Sequence, residues 1–525
     1  MPSRRRFIRN SIVAGAAVTV GIRGFAAGTA GSAAVAPGTA GSAAVAPGIA
    51  GDAAISSGIA GDAVISSGAD GLSFTASGTA GRWPTVRPAP RDRKFRSKAV
   101  EETIKEIESF LGGDNELSWL FANCFPNTLD TTVNFSVKEG RPDTFVITGD
   151  IHAMWLRDSS AQVWPYVSLA GRDPQLKELI AGVINRQVKC IHIDPYANAF
   201  NDGPGQSEWM NDLTDMKPEL HERKWEIDSL CYPVRLAHGY WKTTGDTSVF
   251  EASWTSAMRL IIKTFREQQR KENHGPYKFQ RVTGWQTDTV AGAGYGNPIN
   301  PVGLIVSIFR PSDDATIWPF LIPSNYFAVK SLRQMAEIAT DVTRDDALAS
   351  EATALAGEVE ASLARYARAT HPIHGEIIPY ETDGYFNYNF MDDANVPSLL
   401  GMPYLGTIDR DDPLYLRTRR FVLSDSNPYY FSGISGHGVG SPHTGLNRIW
   451  PIAITMKALT GNENDIITSL RMLKKTHAAT GFMHESFMKD DPSQFTRKWF
   501  AWANTLFGEL VLETYRTKPE LLKEV

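Results

Sequence analysis

The chain has 525 residues, 42% hydrophobic and 21% charged, the composition of a soluble globular protein with a large core and not of a disordered chain. Its 53 basic and 58 acidic residues leave a net charge of -5, too balanced for the concentrated basic surface of a nucleic-acid-binding protein. Three cysteines, Cys124, Cys190 and Cys231, lack C-x-x-C spacing. They favour buried free thiols, with at most one disulfide, and argue against a structural zinc site.

The N-terminus has the pattern of an export signal. Adjacent arginines in Ser-Arg-Arg-Arg-Phe-Ile at residues 3–8 precede a short apolar stretch at 11–22, and small residues follow. The arrangement resembles a bacterial twin-arginine signal, although a disordered basic N-terminus or an uncleaved anchor would have a similar composition. We predict an export signal at residues 1–27, no stable membrane span after its removal, and a location in the periplasm, the cell envelope or outside the cell.

A ten-residue repeat follows this signal. A unit rich in Gly and Ala begins at Gly28 and recurs from Gly38, and a related unit begins at Gly48 and recurs from Gly58. Such units cannot bury enough large side chains to offset the entropy of ordering. We predict that residues 28–96 form a disordered spacer and that residues 97–525 form the catalytic domain.

From about residue 97 the apolar residues recur at helical spacing, as between Val249 and Phe265. Gly245 can end one helix and Asp246 can cap the next, and residues 459–462 repeat this device. Further helices are predicted at the following ranges: 158–170, 174–193, 323–339, 345–368 and 496–515. Many helices and few strands predict an all-α fold built as a ring of inner and outer helices. A helical solenoid is the competing architecture, but the region lacks the internal repeat that a solenoid requires.

The long loops of such a ring gather at one end, and these loops carry the chemically useful residues. They are residues 148–156, 197–227, 310–319, 436–448 and 481–497. In the first loop and the helix after it, Asp150, Arg157 and Asp158 are suited to binding sugar hydroxyls. Structural roles compete with this interpretation, because Asp158 can cap the helix and Arg157 can pair with Asp158.

Two further acids fit the requirements of acid and base catalysis. Asp228 lies among apolar residues at the start of a predicted helix, where partial burial would raise its pKa and keep it protonated as a general acid. A helix cap or a pair with Arg223 is the alternative role. Glu485 lies between polar neighbours and would stay ionised to activate water, unless it only pairs with Arg497.

Four histidines, together with abundant aspartate, leave a zinc or calcium site to be considered. These histidines are His152, His221, His443 and His484. No two of them have the spacing of helical zinc enzymes. We predict no catalytic metal.

Six segments, in chain order, resemble glycoside hydrolase family 125. They are Ile-Thr-Gly-Asp (147–150), Met-Trp-Leu-Arg-Asp-Ser (154–159), His-Glu-Arg-Lys-Trp-Glu-Ile-Asp-Ser-Leu-Cys-Tyr-Pro (221–233), Gly-Ser-Pro-His-Thr (440–444), Met-His-Glu-Ser-Phe (483–487) and Trp-Phe-Ala-Trp-Ala-Asn (499–504). The resemblance extends from about residue 97 to residue 525. Trp225 stands where the family has Tyr, and residues 203–206 match less clearly, which leaves the outer subsites open.

The resemblance implies an (α/α)6 barrel and an exo-acting, inverting α-mannosidase that cleaves chiefly α-1,6 linkages without metal or cofactor. It implies Asp228 as general acid and Glu485 as general base. The predicted substrate-binding residues are Asp150, Arg157, Asp158, Glu222, Asp313 and His443. Inversion would place the two catalytic carboxyls roughly 6.5 to 9.5 Å apart, against about 5 to 5.5 Å for retention.

The expected partner is a mannose-containing oligosaccharide or glycan, and not a nucleic acid. Competing functions are another carbohydrate-active enzyme of the same fold, either a glucosidase or a phosphorylase, and a non-catalytic mannan-binding protein. The sequence identifies neither the natural glycan nor the oligomeric state.

Overall fold

The computed structural model describes residues 83–112 and 115–525. The predicted export signal at 1–27 and the predicted spacer up to residue 82 lie outside the described residues. Residues 83–96, by contrast, pack on the folded domain. Arg87 donates hydrogen bonds to Asp130 at 2.8 and 3.1 Å and to Glu101 at 2.6 Å. The predicted boundary at residue 97 is therefore wrong, since a buried ion pair fixes the preceding segment to the domain.

The described residues are mainly helical. The α-helices are α1 (Lys98–Leu111), α2 (Glu116–Cys124), α3 (Asn127–Thr131), α4 (Leu156–Ala170), α5 (Pro174–Ile193), α6 (Ile227–Thr244), α7 (Ala252–Gln268), α8 (Ile322–Ile338), α9 (Asp346–Tyr366), α10 (Pro413–Val422), α11 (Pro451–Leu459), α12 (Glu463–Thr476), α13 (Ala501–Thr517) and α14 (Glu520–Lys523).

Short antiparallel strands form small sheets between the helices. The strands are β1 (Val133–Lys138), β2 (Arg141–Val146), β3 (Met154–Trp155), β4 (Ala199–Phe200), β5 (Leu220–Glu222), β6 (Phe320–Leu321), β7 (Ala369–His371), β8 (Gly375–Ile377), β9 (Glu381–Thr382), β10 (Tyr388–Asn389), β11 (Tyr430–Ser432), β12 (His437–Val439), β13 (Arg448–Ile449), β14 (Ser486–Met488) and β15 (Asp491–Thr496). Their sheet orders are β1-β2, β3-β4-β5, β6-β9-β10, β7-β8, β11-β12 and β13-β14-β15.

The four predicted helices at 158–170, 174–193, 323–339 and 345–368 are confirmed as α4, α5, α8 and α9, with ends shifted by no more than a few residues. The helix predicted at 496–515 begins only at Ala501, because Thr496 still pairs with Ser486 in β14. Gly245 ends α6 with φ of 69°. Asp246 does not cap α7, because it binds the backbone N–H of Ser248 instead.

Five helices, here called the central helices, are buried on almost every side. They are α4, α6, α8, α11 and α13. Helix α6 packs on α4 and α8, and α13 packs on α4 and α11. The approach of α4 to α6 is close at Gly239, where an added Cβ would lie 2.6 Å from the Trp164 ring. The hydrophobic core therefore surrounds these helices, and their N-terminal ends carry the site.

The central helices share one further property. Their N-cap residues are extended and make no side-chain capping hydrogen bond. Six surrounding helices are capped by a side chain, namely α1 by Ser97, α2 by Asn115, α5 by Asp173, α9 by Asp345, α10 by Asp412 and α12 by Asn462.

Within residues 83–112 and 115–525 no helix is both long enough and apolar enough to cross a membrane.

Candidate active site

Arg157, the second residue of α4, holds four carboxyl groups around one buried guanidinium. Its Nη1 donates to Glu226 at 2.6 Å and to Asp228 at 3.2 Å. Its Nη2 donates to Asp313 at 3.2 Å, and Asp158 Oδ2 lies 3.5 Å from Nε. Residues far apart in the chain thus meet where α4 and α6 begin.

Asp158 does not cap α4. The helix begins at Leu156 with Trp155 as its N-cap residue, so Asp158 lies within the first turn. The alternative pairing with Arg157 is present at 3.5 Å. Burial raises the pKa of Asp158 to about 6, although the charge of Arg157 opposes this shift.

Asp228 is fully buried at the second position of α6. Its Oδ2 accepts from Arg157, and its Oδ1 receives no hydrogen bond from the protein. Burial raises the pKa of Asp228 to about 6, against the opposing effect of Arg157. The alternative pair with Arg223 is absent, since Arg223 Nε donates to Asp194 at 2.9 Å. Asp228 therefore has the partly protonated state that a general acid needs near neutral pH.

Glu226 is a member of this cluster that the sequence did not identify. It occupies the N-cap position of α6, but its side chain turns away to accept hydrogen bonds from Arg157 and from Ser229 at 2.8 Å. Burial, reinforced by the neighbouring carboxyls of Asp313 and Asp228, raises its pKa well above the ordinary value. The available signal was an acid between Trp225 and Ile227, an apolar setting like that of Asp228.

Asp313 has the most exposed carboxyl of the Arg157 cluster, with 24% of its side chain accessible. Its backbone adopts a left-handed conformation with φ of 67°, which aspartate tolerates better than most residues. Lys224 Nζ donates to the Asp313 carbonyl at 3.0 Å, and the Asp313 N–H donates to Arg310. This fixed loop presents a carboxylate that a ligand can reach.

Glu485 lies just before β14 and is 8% exposed. Arg497, which directly follows β15, places Nη1 3.6 Å from Glu485 Oε1. The same guanidinium donates to Asp150 Oδ1 at 2.8 Å and to the Thr148 carbonyl at 2.9 Å. The alternative pairing of Glu485 with Arg497 is thus present, and Asp150 joins the same group.

His443 and Asp158 link the two groups. His443 is accessible to solvent. The surrounding protein atoms remove part of its hydration, which lowers the pKa of the imidazole, but the charges of Asp314, Glu485 and Asp313 outweigh this and raise it. Asp158 is influenced by Arg497 as well as by Arg157. The Arg157 cluster and the Arg497–Glu485 pair therefore lie close enough to influence each other electrostatically, with the accessible His443 imidazole near both.

Glu222 lies in an adjoining charged network. Its carboxylate accepts from Asn198 at 2.9 Å and from Arg281 at 2.8 Å, and Lys224 Nζ lies 3.3 Å away. Lys224 and Arg281 hold the pKa of Glu222 down at about 2, against the effect of burial. Lys224 connects this network to the pocket through Asp313, so Glu222 supports the pocket wall. A direct contact of Glu222 with substrate stays a prediction.

Among residues 83–112 and 115–525, no group of three or more His, Cys, Asp or Glu side chains is arranged to hold a metal ion. The three cysteines are free and buried, as the sequence favoured.

Comparisons with known proteins agree with this geometry. Residues 114–512 match the family described as metal-independent alpha-mannosidase (GH125). The chain is 41% identical over 465 residues to the meiotically up-regulated gene 157 protein of Schizosaccharomyces pombe, covering 84% of this chain and 91% of that protein.

A solved structure from Streptococcus pneumoniae is also similar. It is a metal-independent alpha mannosidase in a non-productive complex with alpha-1,6-mannobiose. It superposes with a TM-score of 0.77 at 40% identity, covering 81% of this chain and 100% of that chain. From the match across most of its length, the chain belongs to glycoside hydrolase family 125, the metal-independent alpha-mannosidases.

Proposed function

We propose that this protein is an exo-acting α-mannosidase that hydrolyses terminal, non-reducing α-1,6-linked mannose with inversion of configuration. The observation that carries the proposal is the buried carboxyl of Asp228, which has a pKa raised to about 6. Its cluster is linked electrostatically to Glu485 through His443 and Arg497. The relative from Streptococcus pneumoniae was crystallised with alpha-1,6-mannobiose, which supports the same linkage here.

The proposed reaction uses the two acids on opposite sides of the sugar. Asp228 donates its proton to the glycosidic oxygen as the bond from that oxygen to C1 breaks. Glu485 removes a proton from a water molecule whose oxygen bonds to C1 from the other face. The products are β-mannose and the shortened glycan, and proton exchange with solvent restores both acids.

Arg157 and Arg497 have different tasks in this scheme. Arg157 holds Asp228 through Nη1 and leaves Asp228 Oδ1 buried without a hydrogen bond from the protein. Arg497 Nη1 lies 3.6 Å from Glu485 Oε1, which orients the proposed base without a short hydrogen bond. Asp313 and His443 are accessible in the pocket and are placed to bind sugar hydroxyls.

The exo mode is part of the proposal, and it agrees with the full burial of Glu226 and Asp228 around Arg157. If these side chains form the closed end of the site, a glycan enters with its terminal residue only. Inversion requires room for a water molecule between sugar and base, which corresponds to about 6.5 to 9.5 Å between the carboxyls.

The central helices also support an (α/α)6 barrel. They alternate along the chain with the peripheral helices α5, α7, α9, α10 and α12. Between α8 and α11 the inner position is taken by turns near residue 396, where Tyr232 donates to the Val396 carbonyl at 2.8 Å. Such a ring places the loops after the peripheral helices at one end, around the pocket.

Export to the periplasm, the envelope or the medium is part of the proposal. It is supported by the arginine pair at residues 4 and 5 and by the apolar stretch that follows. A reporter enzyme fused to residues 1–27 would be exported, and replacing both arginines by lysine would abolish its export.

The decisive experiment measures mannose release from α-1,6-mannobiose in the presence of EDTA. The wild type should release mannose, and NMR of the fresh product should show the β-anomer. Asp228→Asn and Glu485→Gln should each lower kcat about 10²- to 10⁴-fold, the usual range for an acid or a base.

Other outcomes identify the competing functions. Turnover that requires phosphate and survives Glu485→Gln would indicate a phosphorylase, because phosphate would then replace the activated water. Release of glucose but not mannose would indicate a glucosidase. Binding of mannan without any released sugar would indicate a binding protein.

A further inference from the structure

Four side chains form an apolar surface outside the pocket, here called the tryptophan ridge: Trp209, Leu213, Val282 and Trp285. Leu213 is 57% exposed, Val282 93% and Trp285 54%. The two segments that carry them are joined, because Leu213 and Gln280 exchange backbone hydrogen bonds of 2.8 and 3.4 Å. Exposed apolar side chains grouped in this way mark a contact surface more often than single ones do.

The guanidinium of Arg281 stacks on the Trp209 ring, with Cζ 3.6 Å from the ring centroid. Arg281 is in turn fixed by three carboxylates. It donates to Asp212 at 2.8 and 2.6 Å, to Glu222 at 2.8 Å and to Asp288 at 3.0 Å. The indole is therefore ordered in the free protein, so binding to it costs little conformational entropy.

The ridge is continuous with the pocket. Asp288, three residues after Trp285, accepts from Lys224 Nζ at 2.7 Å, and Lys224 also donates to the Asp313 carbonyl. A second link is the backbone bond of 2.7 Å from Ala315 to the Thr287 carbonyl. The ridge and the accessible Asp313 carboxylate are thus parts of one hydrogen-bonded wall.

The other segment of the ridge reaches the pocket independently. Burial lowers the pKa of the His221 imidazole, and the nearby charge of Glu208, which is adjacent to Trp209, opposes this shift. The His221 ring packs edge-on against Trp155, the residue before α4, with centroids 5.3 Å apart. Both segments therefore lead from the ridge to the residues around Arg157.

We propose that the tryptophan ridge is an outer subsite that stacks on the mannosyl residues following the scissile bond, which makes an extended α-mannan chain the preferred substrate. The inference rests on the proposed function. Mannose has an apolar C–H face that fits an indole, and its hydroxyls remain in water at an open surface. When the terminal mannose lies beside Asp313, the rest of the glycan extends out of the pocket along this wall.

The test uses binding, so that it does not depend on turnover. In the Asp228→Asn background, titration calorimetry would measure Kd for α-1,6-mannobiose and for linear α-1,6-mannotetraose. We expect the tetrasaccharide to bind about tenfold more tightly, as one or two stacking contacts would provide. Adding Trp285→Ala or Trp209→Ala should remove this gain and leave mannobiose binding within about twofold.

A matched control lies at the other end of α6. Trp241 is also partly buried with a cation on its ring, since Lys242 Nζ lies 4.0 Å from the centroid. It is 13 residues from Asp228, or about 20 Å along the helix. Trp241→Ala should leave the binding of both sugars unchanged.

Three binding results would overturn the inference. The first is equal affinity for the two sugars when the ridge is intact. The others are a Trp285→Ala variant that loses affinity for both sugars equally, and a Trp241→Ala variant that loses the tetrasaccharide's extra affinity as the ridge variants do. A dimer in sedimentation analysis that Trp285→Ala dissociates, without any change in sugar affinity, would assign the ridge to contact between copies and would also overturn it. Failure of the proposed function looks different, because it is the absence of mannose release by the wild type.

Discussion

As the proposed general acid, Asp228 would give the reaction a pH dependence whose direction follows from its surroundings. The proposed reaction needs the protonated acid, and burial raises the pKa of Asp228 to about 6. The active form is therefore abundant below pH 6 and declines above it. We expect kcat/KM to fall about tenfold per pH unit on the alkaline side, with a midpoint near 6.

The measurement is the pH profile of kcat/KM on α-1,6-mannobiose between pH 4 and 9. A plateau that extends past pH 8 would contradict the assignment of Asp228 as the acid. The profile reports Asp228 together with Glu226, because both carboxyls contact Nη1 of Arg157 and interact with each other.

Glu226 gives a second prediction for a single residue. Burial raises the pKa of Glu226 well above its ordinary value. We therefore expect Glu226 to be neutral at working pH and to accept the Arg157 hydrogen bond as an uncharged group. Glu226→Gln should keep kcat/KM within about threefold and leave the alkaline limb in place, since it preserves charge and shape.

Glu226→Ala serves as the contrast. It removes the partner of a buried guanidinium, so Arg157 can shift away from Asp228, and we expect kcat to fall by about 30-fold or more. If Glu226→Gln instead moves the alkaline limb towards acid pH, Glu226 is ionised in the active enzyme and the prediction is wrong.

Single residues in apolar settings could be identified from the sequence, and their partners could not. Asp228 is conspicuous between Ile227 and Leu230. Its partner Arg157 is 71 residues away, and Asp313 is 156 residues from Arg157. Such pairings depend on how the helices pack, which local spacing does not specify. For the same reason the roles of Glu226, Lys224 and Arg281 became visible only in the structure.

At the scale of elements, two glycines mark places where a helix packs closely against a neighbouring element. A Cβ on Gly182 of α5 would lie 2.3 Å from Thr144 Oγ1 and 3.0 Å from the Thr144 nitrogen in β2. A Cβ on Gly239 of α6 would lie 2.6 Å from Trp164 of α4. Both backbones approach a neighbour too closely for any side chain.

We expect Gly182→Ala and Gly239→Ala each to lower the free energy of unfolding by about 1 to 3 kcal/mol, the cost of overpacking. Gly357 in α9 is the matched control, because a Cβ there has no heavy atom within 4 Å. Gly357→Ala should raise the free energy of unfolding by about 0.5 to 1 kcal/mol through helix propensity. Denaturant titration followed by circular dichroism measures all three, and equal effects would contradict the packing argument.

Helix interiors were predictable from apolar spacing, and several helix ends were not. Pro174 after Asp173 fixed the start of α5, because a capping aspartate and a proline at the first position are both local signals. Thr496 was assigned to α13, yet it belongs to β15 because its partner Ser486 comes from another part of the chain. Asp246 was assigned as a cap, but the turn after Gly245 gave it a nearer donor in Ser248.

At the scale of the molecule, the segment before α1 is part of the domain. Arg87 bonds to Asp130 and Glu101, and both Arg87 and Asp130 are buried. Without Arg87, the buried Asp130 would keep only the longer pair with Arg93 at 3.6 Å, and a buried carboxylate with a weakened partner is destabilising. We expect Arg87→Ala to lower the free energy of unfolding by about 3 kcal/mol.

Arg91→Ala is the control, since Arg91 pairs with Asp92 at 3.7 Å in full contact with solvent and should be without measurable effect. Thermal unfolding of the two variants, and of chains that begin at residues 83 and 97, compares the contributions. A chain beginning at 97 that is as stable as one beginning at 83 would contradict the role of this segment.

The composition of the chain indicated where the low-complexity region lies, but not where it ends. Residues such as Pro88 and Pro90 continue the appearance of a linker, while the ion pair that orders them depends on Asp130, 43 residues beyond Arg87. The helix-rich domain itself was predictable, because helical spacing recurs through most of its length.

The uncapped starts of the central helices have a consequence for engineering. A capping serine or aspartate is usually worth about 1 kcal/mol, and positions 155, 226, 321, 450 and 500 forgo it. At position 226 the side chain is turned to Arg157 instead. The central helices thus lack this stabilisation at the end where we propose that substrate binds. We expect efforts to make the protein heat-resistant to succeed at the peripheral helices, and a gain in stability at these five positions to reduce turnover.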